Sequence, residues 1–248
     1  EFLLHQIDMS FGEFEYICNY YKPRTRQMII NQMSNHLSIV NNTELKKIAH
    51  LCEEHLKKVK HDLPIQNILS TINIIMEVRE DKAKQLAEQI WTALEKRDVW
   101  YESDFRLLGV ILFFFPIETI QEITEKILTN LEKYNDYKNI KGTQTSILFN
   151  LSTVYFLNNR LDDCQRITEM ILPLAKQTKR YDKLGFARVR LGICQGDDAL
   201  IQKGLQLLEL TEETTLLENL KEEVKQYRAS YFSHISHGIS TTSIETEK

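Results

Sequence analysis

Apolar residues recur at i, i+3, i+4 and i+7 along almost the whole chain, the spacing that gathers them on one face of an α-helix. Leu45, Ile48, Ala49, Cys52 and Leu56 form one such stripe, and Leu86, Ile90, Ala93 and Leu94 another. Strict alternation of period two, the pattern of a half-buried strand, does not occur. Helix breakers divide the pattern into pieces of similar length. Asn41-Asn42 reads as a turn, with Asn42 or Thr43 able to cap the next helix. Asp62-Leu63-Pro64 puts a proline at a helix start, where its missing N–H costs nothing. Glu80-Asp81, Asp98-Val99, Pro116, Asn158-Asn159, Asp182 and Gly196-Asp197 mark further boundaries. The pattern predicts helices over 25–39, 43–60, 64–79, 81–97, 101–115, 116–134, 140–158, 160–179, 181–195, 197–210 and 214–230. Pro173 falls inside one of them and is expected to kink it.

Taken in pairs, the first helices start near 25, 64, 101, 140 and 181, a period of about 37–41 residues that marks an α-solenoid. The tetratricopeptide (TPR) repeat is shorter, at about 34 residues, and its full consensus is missing here. The expected fold is therefore all-α: a right-handed α-solenoid of TPR-like helix pairs, about five pairs plus a C-terminal capping helix. An ordinary helical bundle is the alternative. Gly109, Ala83, Ala87, Gly192, Ala199 and Gly204 supply small side chains where paired helices must approach closely. The expected organisation is a linker remnant over 1–14, a repeat domain over 15–231 and a flexible tail of Ser, Thr, His and Gly over 232–248. The chain opens on Glu1-Phe2-Leu3-Leu4, already in a helical pattern, which suggests a further domain upstream.

Composition narrows the function. The 248 residues include only 8 Gly and 4 Pro, with 42% hydrophobic and 27% charged residues, a balance that suits long soluble helices. The net charge of −4 offers no global basic field for phosphates, so this segment is not expected to read DNA itself. The longest apolar run, 107–117, is broken by Gly109 and Pro116 and falls short of the ~20 residues of a membrane span. Cys18, Cys52, Cys164 and Cys194 are dispersed. They read as reduced thiols in a cytoplasmic core, with an intermolecular disulfide or a redox switch as the alternative.

A search for catalytic chemistry finds little. There is no G-x-G-x-x-G, phosphate-binding P-loop or G-x-S-x-G. His50 and His55 are five apart, on different helix faces, which excludes the zinc pattern H-E-x-x-H. His234 and His237 fall in the tail. Runs such as Glu212-Glu213 and Glu222-Glu223 read as solvated helix faces. No enzyme activity, metal or cofactor is expected.

Polar residues embedded in the apolar first helices are the remaining candidates. They are Asn73, Arg106, Asn150, Arg188 and Arg190. In a helix-pair solenoid the first helices line the concave face. An Asn amide there can both donate to and accept from an extended peptide backbone, and an Arg can hold a carboxylate with two bonds. Phe113, Phe114, Phe149 and Tyr155 offer apolar contact surface or core. A structural hydrogen bond or a snorkelling side chain is the plainer role for any of these polar residues.

Several stretches resemble the Rgg/GadR/MutR family of transcription regulators. Phe2-Leu3-Leu4-His5-Gln6-Ile7-Asp8-Met9-Ser10-Phe11-Gly12-Glu13-Phe14 is similar to the junction between that family's helix-turn-helix and repeat domains. Trp100-Tyr101-Glu102 followed by Leu107-Leu108-Gly109 resembles its aromatic-acidic start of a middle helix. Asn150 falls where the family often has an Asn in the concave wall, and Gly192 through Gly204-Leu205 resembles its final repeat. Val110 departs from members that carry Asn after Leu-Leu-Gly. The likeness extends to about residue 228. It implies a cytoplasmic homodimer whose repeat domain binds a short hydrophobic peptide and controls promoter binding by a helix-turn-helix domain absent from this sequence. The peptide contacts expected on this basis are Asn73, Arg106, Phe113, Asn150, Arg188 and Arg190. A protein-interaction scaffold without a small ligand is the rival reading.

Overall fold

Breakers that end one helix and cap the next set the architecture. Asp62 is the N-cap residue of a helix with Pro64 in its first turn. Gly196, at φ 67°, closes another. In the computed structural model, which describes residues 9–21, 23–36, 42–77, 79–134, 136–137 and 140–239, the helices follow the sequence pattern closely. They are α1 (Phe11–Asn19), α2 (Thr25–His36), α3 (Asn42–Lys58), α4 (Leu63–Met76), α5 (Glu80–Glu95), α6 (Glu102–Ile111), α7 (Ile117–Glu132), α8 (Lys141–Leu157), α9 (Leu161–Gln177), α10 (Tyr181–Gln195), α11 (Asp198–Leu210) and α12 (Thr214–Ile239). A 3-10 turn, Leu112–Phe114, follows α6. The fold is all-helical, and no strand occurs among the described residues.

Two elements differ from the sequence expectation. α1 begins within the stretch read as linker and runs on into the expected repeat domain, started by a capping box in which Glu13 N donates to Ser10 Oγ at 3.2 Å and Ser10 N donates to Glu13 Oε2 at 2.9 Å. At the other end α12 continues to Ile239. Residues 1–8 and 240–248, and the side chains of His234 and His237, lie outside the described residues.

The chain forms two compact units, 1–120 and 121–248. In the first, α2, α3 and α4 enclose Ile29, Met33, Leu45, Ile48, Cys52, Ile65 and Ile72. Trp100 packs edge-on against Trp91 and Phe105, both at 6.1 Å, and its Nε1 donates to Leu94 O at 2.9 Å. The indole N–H of the buried Trp100 is thereby satisfied, as burial requires. α4 packs on α2 and α6, so the first helices of successive pairs are neighbours, as in a helix-pair repeat.

In the second unit α8, α9, α10 and α11 pack in sequence through turns of two or three residues, which makes neighbours antiparallel. The turns share one device. Arg160 N, Arg180 N, Asp197 N and Glu213 N each donate back five residues, to Tyr155, Ala175, Gly192 and Leu208 carbonyls. The residue before each is left-handed: Asn159, Lys179, Gly196 and Glu212. This is the Schellman closure of helix ends.

α10 and α11 make the closest approach. A Cβ added to Gly204 would stand 2.7 Å from Gly185 O and 2.8 Å from Val189 N, and one on Gly192 would stand 2.8 Å from Ile201 N. Those neighbours are backbone and cannot swing aside. Gly204→Ala is therefore expected to cost about 1–3 kcal/mol by overpacking. Gly142→Ala, which meets nothing within 4 Å, should add up to about 1 kcal/mol by restricting the unfolded chain. Chemical denaturation of both variants checks the pair, and equal effects would contradict the close approach. Ala83, Ala87 and Gly109 are also buried as expected, whereas Ala199 is exposed. It sits in the first turn of α11, off the packed face.

Candidate functional site

The six residues expected to contact a ligand divide between the units. Asn73, Arg106 and Phe113 lie in the first. Asn73 is exposed on α4, with no hydrogen-bond partner among the described residues. Arg106 is exposed on α6, where its Nη2 donates to Glu102 Oε1 at 2.7 Å, one turn back. Such a pair is worth only a few tenths of a kcal/mol, roughly 0.3–0.5, and gives way easily to a better anion. Phe113, in the 3-10 turn, is 48% exposed, an unusual placement for a large apolar ring in the middle of a chain.

Asn150, Arg188 and Arg190 lie in the second unit. Asn150 is half-buried on α8 and already engaged in the fold. Arg188 and Arg190 are two apart on α10, so they point about 200° apart around the helix axis, and their environments are opposite. Arg188 is half-exposed, and no hydrogen bond or ion pair holds it among the described residues. Arg190 is fully buried. Its Nη2 donates to Glu223 Oε2 on α12 at 2.6 Å, and its Nη1 to Ser152 O on α8 at 3.4 Å. Its guanidinium lies 4.0 Å from the Phe156 ring centre and 4.8 Å from that of Phe186. Any carboxylate reaching Arg190 would have to displace Glu223. Glu223 is accordingly not part of a solvated acidic face, as its neighbour Glu222 is. Among the aromatics, Tyr155 is core, with its hydroxyl donating to Thr124 Oγ1 at 2.9 Å.

On the same helix, five residues before Arg188 and so about 140° away around its axis, the structure places a cation that sequence reasoning missed. Lys183 Nζ sits 3.7 Å over the Phe149 ring, and Phe149 stacks on Phe186 at 3.9 Å. Burial pushes the Lys183 amine below its ordinary value, and the ring face partly replaces the lost water. The half-buried Phe149 ring on α8 and the Lys183 amine on α10 thus form one contact, and Asn150 and Arg188 are partly exposed on the same two helices. That chemistry suits a chain end or acidic group attached to an apolar ligand.

Elsewhere the buried polar groups are structural. Asp104 is fully buried at the start of α6 and accepts from Asn67 Nδ2 at 2.8 Å, Arg97 Nη1 at 2.7 Å and Tyr101 N at 2.9 Å. Asp62 accepts from Arg26 Nε at 2.8 Å and pairs with His55 Nε2 at 2.9 Å. Asp182 receives two bonds from Arg180, at 2.9 and 2.6 Å. Burial pushes the carboxyls of Asp62 and Asp182 up, but these cationic partners outweigh it and hold both below the usual carboxylate range. A depressed folded-state value means that the unfolded chain binds protons first as pH falls. The stabilisation is complete above about pH 4, the unfolded carboxylate value, and is lost as pH drops through the lower folded values. Urea midpoints should therefore fall steeply below about pH 4, and Asp62→Asn should flatten that fall while lowering the midpoint at pH 7. A wild-type midpoint constant down to about pH 3 would contradict this.

No group of three or more His, Cys, Asp or Glu side chains suited to a metal occurs among the described residues. Nor is any helix among them long and apolar enough to cross a membrane. Residues 45–222 match the family model described as "HTH-type transcriptional regulator Rgg, C-terminal domain", and the chain belongs to that family. It is a C-terminal domain of transcriptional regulators. No curated protein matches the sequence. Among solved structures, a protein described as a transcriptional regulator from Listeria monocytogenes EGD-e superposes with a TM-score of 0.70 at 12% identity, over 92% of this chain and 82% of that one. The SHP pheromone receptor Rgg2 of Streptococcus dysgalactiae superposes with a TM-score of 0.58 at 18% identity, over 91% of this chain and 82% of that one. At such identities the likeness establishes the fold.

Proposed function

We propose that this chain is the ligand-sensing and dimerisation part of a cytoplasmic transcription regulator, binding a short hydrophobic peptide and controlling a helix-turn-helix domain that contacts promoter DNA. The observation that carries the reading is Arg188: a half-exposed cation without a partner among the described residues, on the helix that also holds Lys183 over the half-buried Phe149 ring. Arg188 takes the peptide's terminal carboxylate. Asn150, in the same unit, bonds its backbone; Asn73, Arg106 and Phe113 are the candidate contacts that the first unit offers by itself. Arg190 holds the wall in place from behind. The family membership and the pheromone receptor among the structural relatives support a peptide as the ligand.

The dimer rests on α1. Its Phe11, Phe14, Tyr16, Ile17 and Tyr20 are all 43% or more exposed, and none of its residues is buried. A helix of 9 residues is marginal in water on its own, and so dense an apolar surface needs cover. A second copy of the chain supplies it. Peptide binding then acts by population shift, which requires that the peptide prefer one arrangement of the dimer over another.

Arg188→Ala should weaken binding of a short hydrophobic peptide by roughly 10–100-fold, the worth of a charge-assisted hydrogen bond, without changing thermal stability. Calorimetry on peptides encoded beside the gene, each with a free and an amidated C-terminus, provides the measurement. Wild-type protein should lose affinity on amidation, and the variant should not distinguish the two forms. Binding that ignores both changes would remove the site. A monomer in light scattering, with a large stable partner recovered from cytosol, would favour an interaction scaffold instead.

A further inference from the structure

The end of α10 leaves a space that the fold does not fill. Gly196 closes that helix in the left-handed region, at φ 67°, and a Cβ built on it would meet nothing within 4 Å. The residue type that the turn demands is therefore also the one that leaves its surroundings open. α11 begins at Asp198, just beyond, and α12 passes the same corner. The three helices frame a cleft of about 610 Å³ within the second unit. A space of that size falls in the range of small-molecule sites.

Its walls have two characters. Ile193, Ile201 and Val224 are buried aliphatic side chains of the lining. Water against such walls finds few hydrogen-bond partners, so an apolar body displaces it favourably. The rim is polar and carries one opposed pair of charges: Arg228 donates to Asp198 Oδ1. The guanidinium is 47% exposed and the carboxylate 76%, so the cation is the more enclosed of the two. A pair that wet is weak and exchanges easily. Asp198, once released, keeps the favourable N-terminal turn of α11 around it.

We propose that this cleft binds a small amphipathic carboxylate, with the chemistry of a medium-chain fatty acid, as a second ligand of the chain. The aliphatic part lies on Ile193, Ile201 and Val224. The carboxylate takes the Arg228 guanidinium from Asp198 and accepts two parallel bonds, where Asp198 now accepts one. A ligand seated there touches α10, α11 and α12 at once. The Glu223–Arg190 pair also ties α12 to α10, so the ligand adds a second tie at the far side of the same helix pair and stabilises the bound arrangement. Arg188 is not part of the lining, and the site does not depend on the proposed peptide contacts.

Octanoate titrated into the full chain tests this. Calorimetry should show saturable binding at or below about 1 mM. Arg228→Met, which keeps an apolar stem but removes the charge, should weaken it by roughly tenfold or more, the loss of a charge-assisted bond. Octanol and octyltrimethylammonium carry the same chain on a neutral and a cationic head, and both should bind at least roughly tenfold more weakly than octanoate. Methyl-selective nuclear magnetic resonance locates the ligand: signals of Ile193, Ile201 and Val224 should shift, and those of Ile29, Ile48 and Ile65 in the first unit should not. The wild-type spectra decide the matter by themselves if the variant misfolds. Absence of saturation, shifts centred away from the cleft, or equal binding of the three head groups would each overturn the proposal. Peptide binding is read through Arg188 and amidation, so failure of one reading leaves the other standing.

Discussion

Glu223→Ala is expected to lower the stability of the second unit by about 3–5 kcal/mol, the usual effect of removing one partner from a buried ion pair. Glu223 is 26% exposed at its side chain and Arg190 only 1%, so the glutamate's loss leaves a guanidinium that water cannot reach. Its other contacts, a long bond to Ser152 O and two ring faces, do not neutralise it. A melting midpoint roughly 10 °C lower follows for a chain of this size. Replacing both partners with apolar residues, Arg190→Met with Glu223→Leu, should recover most of that loss, since a buried pair seldom outweighs its own desolvation. Urea denaturation followed by circular dichroism gives the four stabilities of the cycle. A single Glu223 variant within about 1 kcal/mol of wild type would show that the pair carries little weight.

The second large effect belongs to the first unit. Asp104→Ala should cost about 3–5 kcal/mol there, because three donors lose their common acceptor. Asn67, Arg97 and the Tyr101 amide converge on it from α4, from the turn after α5 and from the start of α6. The carboxylate therefore fixes where α6 begins relative to two earlier segments. Asp104→Asn should sit between the variant and wild type, since the amide keeps one acceptor but turns a donor toward donors. The measurement is again denaturation. If the two units melt apart, the Asp104 variants should shift only one transition and the Glu223 variant the other. Both shifting the same transition to the same extent would indicate one cooperative block.

The contrast between these residues and their sequence appearance explains what could be read in advance. Helix starts were legible because each coincides with a breaker: expected starts at 25, 64, 101, 140 and 181 meet Thr25, Leu63, Glu102, Lys141 and Tyr181. α1 escaped although Phe11, Phe14, Ile17 and Cys18 recur at helical spacing, because the helix is short and lies at the edge of the stretch read as linker. Its Ser10-Phe11-Gly12-Glu13 capping signal was available and sufficient. The candidate site was harder. From Leu184 to Ile193 every residue of α10 except Arg188 is buried. A helix enclosed nearly all round has no polar face by which Arg188 and Arg190 could be told apart. Asp104 looked like any acidic residue in a first helical turn, and Glu223 like half of a solvated pair. Their partners are 33 or more residues away for Glu223–Arg190 and for Asp104–Asn67, a separation that local pattern does not carry.

Arg188 and Arg190 also differ in what change each permits over evolutionary time. A half-exposed, unpaired arginine can be replaced without disturbing its neighbours, so position 188 is open to drift and to retuning for a new ligand. Position 190 is bound by a pairing rule: an apolar substitute leaves a half-buried glutamate unanswered at 223, and a change at 223 strands the guanidinium. Among relatives positions 190 and 223 are expected to vary together or not at all, and invariance at 190 would be a signature of packing.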